Sequence, residues 1–220
     1  LFITGASTGI GAATARAAAA AGWRLGLMAR SAERLEALVD EIGAERAMAL
    51  PGDVTDFATQ EAAIGRLAER FGGLDAAFAN AGRGLDTPGT EAGDVAEWQA
   101  MIGINVMGLL FTCKAALPHL KPRKGHMVLT GSAAGRKTIK GSVYGASKWF
   151  VHGYGENLAD EMAEWGGRCT VVAPGMVNTP FFSTPKPGKL EAEDVAAAVM
   201  HALEAPARNA VREVYLMPGG

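Results

Sequence analysis

The sequence predicts an α/β fold of the Rossmann type, a doubly wound parallel sheet of about seven strands with helices on both faces. Three observations predict it. Short apolar runs alternate with helical stretches along the whole of the 220 residues. Several of those runs are apolar at consecutive positions, as in Leu25-Gly26-Leu27-Met28-Ala29, which suits strands covered on both faces. A glycine cluster, Gly5, Gly9 and Gly11, lies between the first strand-like run and the first helical one, where the chain must turn tightly.

Taken in order, Leu1 to Thr4 reads as a strand and Gly9 to Ala21 as an alanine-rich helix. Arg24 to Ala29 is a second strand. A helix over Ala32 to Ile42 follows, with Leu35, Leu38 and Ile42 on one face. Ala47 to Leu50, Phe57 to Phe71 and Leu74 to Ala79 read as strand, helix and strand. A long helical stretch from Val95 to Leu120 ends near Pro118 and Pro122, where the missing amide protons stop a helix. His126 to Thr130 is a fifth strand, Val143 to Trp165 a long helix and Cys169 to Ala173 a sixth strand. A Pro/Gly-rich loop, a helix over Glu191 to Leu203 and a last strand over Glu213 to Met217 complete the pattern. With no composition break, residues 1–220 are expected to form one domain, with a short substrate loop at about 180–190.

Composition narrows the function. Apolar content of 49% with 21 basic against 23 acidic residues excludes disorder and offers no electrostatic hold on nucleic acid or an anionic membrane. No apolar run approaches the ~20 residues of a membrane span, so no membrane partner is expected, and the expected location is the cytoplasm. Cys113 and Cys169 sit in separate apolar segments and read as buried free thiols. The four histidines make no ligand cluster, so no metal site is expected. Glycine is the outlier, at 29 of 220 residues against an average of about 7%. Its clustering excludes collagen and asks for close backbone approach at separate points.

The turn Thr4-Gly5-Ala6-Ser7-Thr8-Gly9-Ile10-Gly11 supplies one such point. Its glycines let a pyrophosphate reach the free amides and positive dipole end of the first helix. The absence of Lys-Ser/Thr after the last glycine makes a nucleoside-triphosphate P-loop a poor fit. At the end of the second strand an acidic residue would hold a ribose 2′-hydroxyl, whereas an arginine accommodates a 2′-phosphate. Here the strand ends Ala29-Arg30-Ser31, with no carboxylate, which points to NADP(H) over NAD(H); the plainer alternative is that Arg30 caps a solvated loop. Asp53, with Val54, lies where an adenine would reach, or is simply a turn aspartate.

Tyr144 and Lys148 are four apart at the start of a long helix, hence on one face. An ammonium beside a phenol favours the phenolate and fits the phenol for proton transfer. Such a pair is common by itself; its company is Ser132, at the C-terminal end of the fifth strand, where ligands bind in such sheets.

Together these residues make the chain resemble the short-chain dehydrogenase/reductase family over nearly its whole length. The matching segments fall in order: TGASTGIG (4–11), Asp53-Val54, Asn80-Ala81-Gly82, Asn105, Ser132, YGASK (144–148) and PGMVNT (174–179). The resemblance implies an oxidoreductase interconverting a carbonyl and a secondary alcohol. Tyr144 would be its acid/base, Lys148 would lower the phenol pKa and hold the nicotinamide ribose, and Ser132 would polarise the carbonyl. Asn105 would hold a relay water. It also implies a dinucleotide lined by Gly5, Ser7, Thr8, Ile10 and Gly11 at the pyrophosphate and by Arg30, Ser31, Asp53, Val54, Asn80, Ala81 and Gly82 toward the adenosine. Pro174, Gly175, Val177 and Thr179 would form the nicotinamide wall. Two long helices would pair across subunits into a homodimer or homotetramer.

Two departures stand out. Ser7 and Thr8 occupy the place where many NADP-preferring relatives carry a second basic residue, leaving Arg30 alone. The segment from Pro180 to about Leu190 is short and suits only a small lid over an open site. Arg83, Arg136, Lys137 and Lys140 flank the expected mouth, either as a solvated loop or as a preference for an acidic substrate. Two other functions fit the fold: a dinucleotide-binding regulator without turnover, and a sugar-nucleotide isomerase or dehydratase. The first would erode Ser132, Tyr144 or Lys148, all present here, and the second needs a longer C-terminal substrate region.

Overall fold

A computed structural model describes residues 1–219; Gly220, the last residue of the expected domain, lies outside the described residues. Among the described residues seven strands form one sheet: β1 (Phe2–Thr4), β2 (Leu25–Ala29), β3 (Ala47–Pro51), β4 (Ala76–Ala79), β5 (His126–Thr130), β6 (Arg168–Pro174) and β9 (Glu213–Leu216). Their order is β3-β2-β1-β4-β5-β6-β9, and every pairing is parallel. The order reverses between β1 and β4, which opens a crevice at the carboxyl ends of the strands. The fold is therefore the expected doubly wound Rossmann-type sheet. A separate parallel ladder of two residues each, β7 (Val177–Asn178) with β8 (Leu190–Glu191), was not expected; it closes the base of the loop between them.

Alternate side chains of each strand enter different cores. Phe2, Met28, Met127 and Leu129 face one layer, with Ile64 and Leu67 of α3 (Phe57–Phe71), Cys113 and Leu120 of α5 (Leu109–Leu120), and Val151, Leu158 and Met162 of α6 (Val143–Ala163). Ile3, Leu25, Leu27, Phe78 and Val128 face the other, with Leu35 of α2 (Ala32–Ile42) and Val195, Val199 and Leu203 of α7 (Ala192–Glu204). The first helix, α1 (Gly9–Ala20), meets α7 through alanines, Ala13 and Ala17 against Ala192 and Ala196, and small residues let the two axes come close. Both cysteines are buried free thiols.

The expected helix from Val95 to Leu120 is interrupted. It comprises α4 (Val95–Ile102), a π-helical turn over Gly103–Gly108 and α5, which runs through Pro118 before a 3₁₀ turn at Lys121–Arg123. Pro118 therefore does not end the helix. In length and composition this run, Val95–Arg123, is apolar enough to cross a bilayer, which corrects the expectation that nothing here approaches a span. In the fold it is an inner helix, with Met101, Leu109, Cys113, Ala116 and Leu120 buried against the sheet and its neighbours.

Candidate active site

The crevice begins at the glycine turn. Gly5 and Gly9 hold positive φ, +65° and +52°, which L side chains adopt at a cost. A Cβ on Gly11 would lie 2.2 Å from the Gly5 carbonyl oxygen, so the first turn of α1 folds back against the loop only because that position is glycine. The Thr4 hydroxyl accepts from the amides of Asn80 (3.0 Å) and Ala81 (3.1 Å), and Asn80 Nδ2 donates to the Thr4 carbonyl at 3.0 Å. The Thr130 hydroxyl donates to Asn80 Oδ1 at 3.2 Å, so one asparagine ties together the ends of β1, β4 and β5.

At the far end, Ser31 caps α2, its Oγ accepting from the Arg34 amide at 3.4 Å. Arg30 and Arg34 both line the crevice wall. Asp53 Oδ1 accepts from the Thr55 amide (2.9 Å) and hydroxyl (2.8 Å). Those bonds, helped by the Arg30 charge, hold its carboxyl below the usual range. The loop after β3 is fixed from beneath by buried Gln60, whose Nε2 donates to the carbonyls of Val54 (2.7 Å) and Gly108 (3.0 Å).

The candidate catalytic residues converge at the other end. Ser132 follows β5; its Oγ accepts from the Ala134 amide at 3.1 Å and lies 3.5 Å from the Pro174 carbonyl. Burial pushes the Tyr144 phenol above its ordinary value, and the Ser132 hydroxyl draws it the other way. Lys148 is buried, donates to the Thr130 carbonyl at 2.8 Å, and is pushed down to about 8 by desolvation. Its Nζ stands 5.9 Å from the centre of the Tyr144 ring. In this geometry the ammonium is turned onto the Thr130 carbonyl, and burial is the larger influence on the phenol. Asn105, on the π turn, forms a two-way clamp with Arg83, accepting from its amide at 2.9 Å and donating to its carbonyl at 3.0 Å. Its amide also donates to the Ser147 hydroxyl at 3.3 Å. These contacts make it a brace between β4, the π turn and α6.

Two cavities meet here. The first, about 550 Å³, runs from Arg30 and Arg34 past the glycine turn to Tyr144 and Lys148. Its wall includes Gly5, Ser7, Thr8, Ile10, Ser31, Asp53, Val54, Asn80, Ala81, Gly82, Pro174, Gly175, Val177 and Thr179. Gly11 and Asn105 are off that wall and act from behind it, Gly11 through the Gly5 carbonyl and Asn105 through Arg83. The second, about 500 Å³, is walled by Leu85, Val143, Met176, Phe181, Phe182 and Met217, with Lys137 and Lys189 also on its wall. Ser132 and Tyr144 line both.

Sequence reasoning missed Arg34, whose signal was its place one turn into the helix after Arg30. It also missed how far the short loop reaches: Phe181 sits 5.9 Å from Tyr144, ring centre to ring centre, and closes over Gly84. Of the basic residues expected at the mouth, Arg136 is committed to Glu213 and Arg83 lies 3.7 Å from Glu97, while Lys137 does reach the second cavity.

Comparison with known proteins agrees with this architecture. The short chain dehydrogenase family model matches residues 1–189. An uncharacterized oxidoreductase of Staphylococcus aureus strain MRSA252 is 35% identical over 221 residues, covering 98% of this chain and 95% of the relative. Among solved structures, an alcohol dehydrogenase from the archaeon Thermococcus sibiricus complexed with 5-hydroxy-NADP superposes with a TM-score of 0.90 at 33% identity, covering 99% of this chain and 95% of that one. Serine dehydrogenase from Escherichia coli superposes with a TM-score of 0.90 at 30% identity, covering 99% and 96%. Sheet order, glycine turn and match thus converge: the chain belongs to the short-chain dehydrogenase family and is an oxidoreductase.

Proposed function

We propose that this chain interconverts a secondary alcohol and a carbonyl with NADP(H) in preference to NAD(H). The observation that carries the reading is the junction of the two cavities. Ser132 and Tyr144 face a long crevice shaped for a dinucleotide and, at the same time, an apolar chamber sized for a small organic molecule. The crevice fits the group by its own geometry, since the glycine turn leaves backbone amides open where side chains would otherwise stand.

Nicotinamide dinucleotide, when bound, supplies the hydride in reduction and accepts it in oxidation. Gly5, Ser7, Thr8 and Ile10 hold its pyrophosphate, Asp53, Val54, Asn80, Ala81 and Gly82 border its adenosine, and Pro174, Gly175, Val177 and Thr179 its nicotinamide. Ser132 donates a hydrogen bond to the carbonyl oxygen, and Tyr144 gives that oxygen its proton in reduction and removes it in oxidation. Lys148 binds the ribose and, once drawn from Thr130 toward the phenol, favours its ionised form. Arg30, Ser31 and Arg34 form the seat for a 2′-phosphate, two guanidiniums being a better match for a dianion than one. The apolar chamber favours a carbonyl compound with a hydrophobic body.

The test is a panel of carbonyls and alcohols assayed with both cofactors. Tyr144→Phe is expected to lose nearly all turnover while binding NADPH as tightly as the parent chain in a fluorescence titration; full activity in that variant ends the proposal. Arg30→Ala with Arg34→Ala is expected to lower kcat/KM for NADPH by ~10-fold or more, the worth of charge-assisted hydrogen bonds, and to leave NADH unchanged. If NADH outperforms NADPH in the parent chain, the phosphate seat is wrong.

A further inference from the structure

The stripe that carries Tyr144 and Lys148 continues one turn further to His152, which is 3% exposed and has no part in the proposed chemistry. Its ring lies inside the loop that presents Ser132. A Cβ on Gly131 would stand 3.0 Å from His152 Nε2, and one on Gly135 would stand 2.5 Å from Cδ2, so the two glycines flanking the serine leave the space that the ring fills. Nε2 lies 3.0 Å from the Ser132 carbonyl oxygen and 3.5 Å from the Ser132 amide. The carbonyl contact is the shorter, so Nε2 donates to it. On the other side, Nδ1 faces Glu213 Oε1 at 3.3 Å, outside good hydrogen-bond geometry. Glu213 is in turn gripped by both Arg136 Nε (3.0 Å) and Arg136 Nη2. Arg136 closes the far end of the same serine loop, so the chain Ser132–His152–Glu213–Arg136 begins and ends on it.

We infer that His152 is a positioning residue for Ser132: packed against Gly131 and Gly135, it holds the Ser132 carbonyl and so fixes where the hydroxyl points. The Ser132 carbonyl compensates the desolvation of Nε2, a contact that an apolar side chain filling the same space would not make. Burial, Arg136 and Lys148 disfavour a charged ring, while the Ser132 carbonyl and Glu213 favour one. The donor at Nε2 is present in either state. The catalytic consequence rests on the dehydrogenase reading above, whereas the holding of the loop does not.

Two amide variants divide the ring between them. His152→Gln puts a donor where Nε2 stands, and His152→Asn puts one where Nδ1 stands. In the full chain, hydrogen exchange of residues 131–136 is expected to quicken at least fivefold in His152→Asn and to stay within about twofold in His152→Gln. In the same pair, kcat is expected to fall ~10-fold in the asparagine variant with the NADPH KM unchanged, and to be largely rescued by glutamine. Glu213→Ala, which frees Arg136 at the end of the serine loop and removes the carboxylate facing Nδ1, is expected to loosen the loop in the same sense should His152→Asn not fold. Wild-type exchange and kcat in His152→Asn overturn the inference, and so does equal loss in both amide variants, which is the mark of packing alone. Faster loop exchange in His152→Asn beside a parent chain that reduces no carbonyl upholds the clamp and brings down the dehydrogenase reading instead.

Discussion

Lys148 is the side chain whose position works against folding. Its ammonium is buried, has one hydrogen bond to the Thr130 carbonyl, and titrates at about 8 instead of 10.5. Between those two values the unfolded chain binds the proton and the folded chain does not, so stability rises with pH across that interval. Below about pH 8 the full penalty stands, on the order of 3 kcal/mol. Removing the charge should therefore stabilise the protein even though it loses the Thr130 bond. Lys148→Met is expected to gain ~2 kcal/mol at pH 7, a Tm rise of about 5 °C, and to approach the parent chain above pH 10.5. Thermal unfolding of the two chains at pH 7 and 10.5 checks it; a less stable variant at pH 7 refutes the buried-charge account. The same variant should be inactive, the stability–activity exchange common at reactive sites.

Single elements carry the site by close approach. The turn from β1 into α1 depends on Gly11, where an added Cβ would be 2.2 Å from the Gly5 carbonyl oxygen and 2.9 Å from Asn80 Nδ2. Gly11→Ala is expected to lose ~3 kcal/mol or more, about 10 °C in Tm, and to weaken NADPH binding, as read by melting with and without the cofactor. That turn was legible in the sequence because glycine spacing reports directly on backbone approach. The strands were legible too, since consecutive apolar residues such as those of β2 mark a strand covered on both faces. The π turn was not. Gly103 to Gly108 keeps the composition of a helix, and a change of hydrogen-bond register leaves no periodic trace, yet it turns Asn105 onto the backbone of Arg83. The ladder of β7 with β8 escaped because two residues per strand show no alternation. His152 sat visibly one turn beyond Lys148, but its meaning lay in Glu213, brought near only by the parallel register of β9 on β6.

At the scale of the whole molecule, the exposed apolar side chains include Met107 on the π turn and Trp149 on the neighbouring α6, 42% and 49% exposed. The family resemblance implies that these helices pair between subunits, and exposed apolar surface is the usual mark of such a face. A sedimentation mass of two or four chains is the expected result. Trp149→Glu is expected to lower that mass by placing a charge in the interface; a single-chain mass for the parent protein removes the prediction.

The strand order also sets a timetable. β9 is the last of the sheet strands to leave the ribosome, yet the Leu216 carbonyl accepts from the Gly175 amide at 2.7 Å, and Met217 and Pro218 wall the apolar chamber. A nascent chain synthesised through α6 already carries Ser132, Tyr144 and Lys148, but the floor beneath Gly175 and one side of the chamber are still missing. The wall of the chamber is thus complete only once the seventh strand lies on the edge of β6. Until then the growing polypeptide holds Tyr144 and Lys148 in an unfinished pocket.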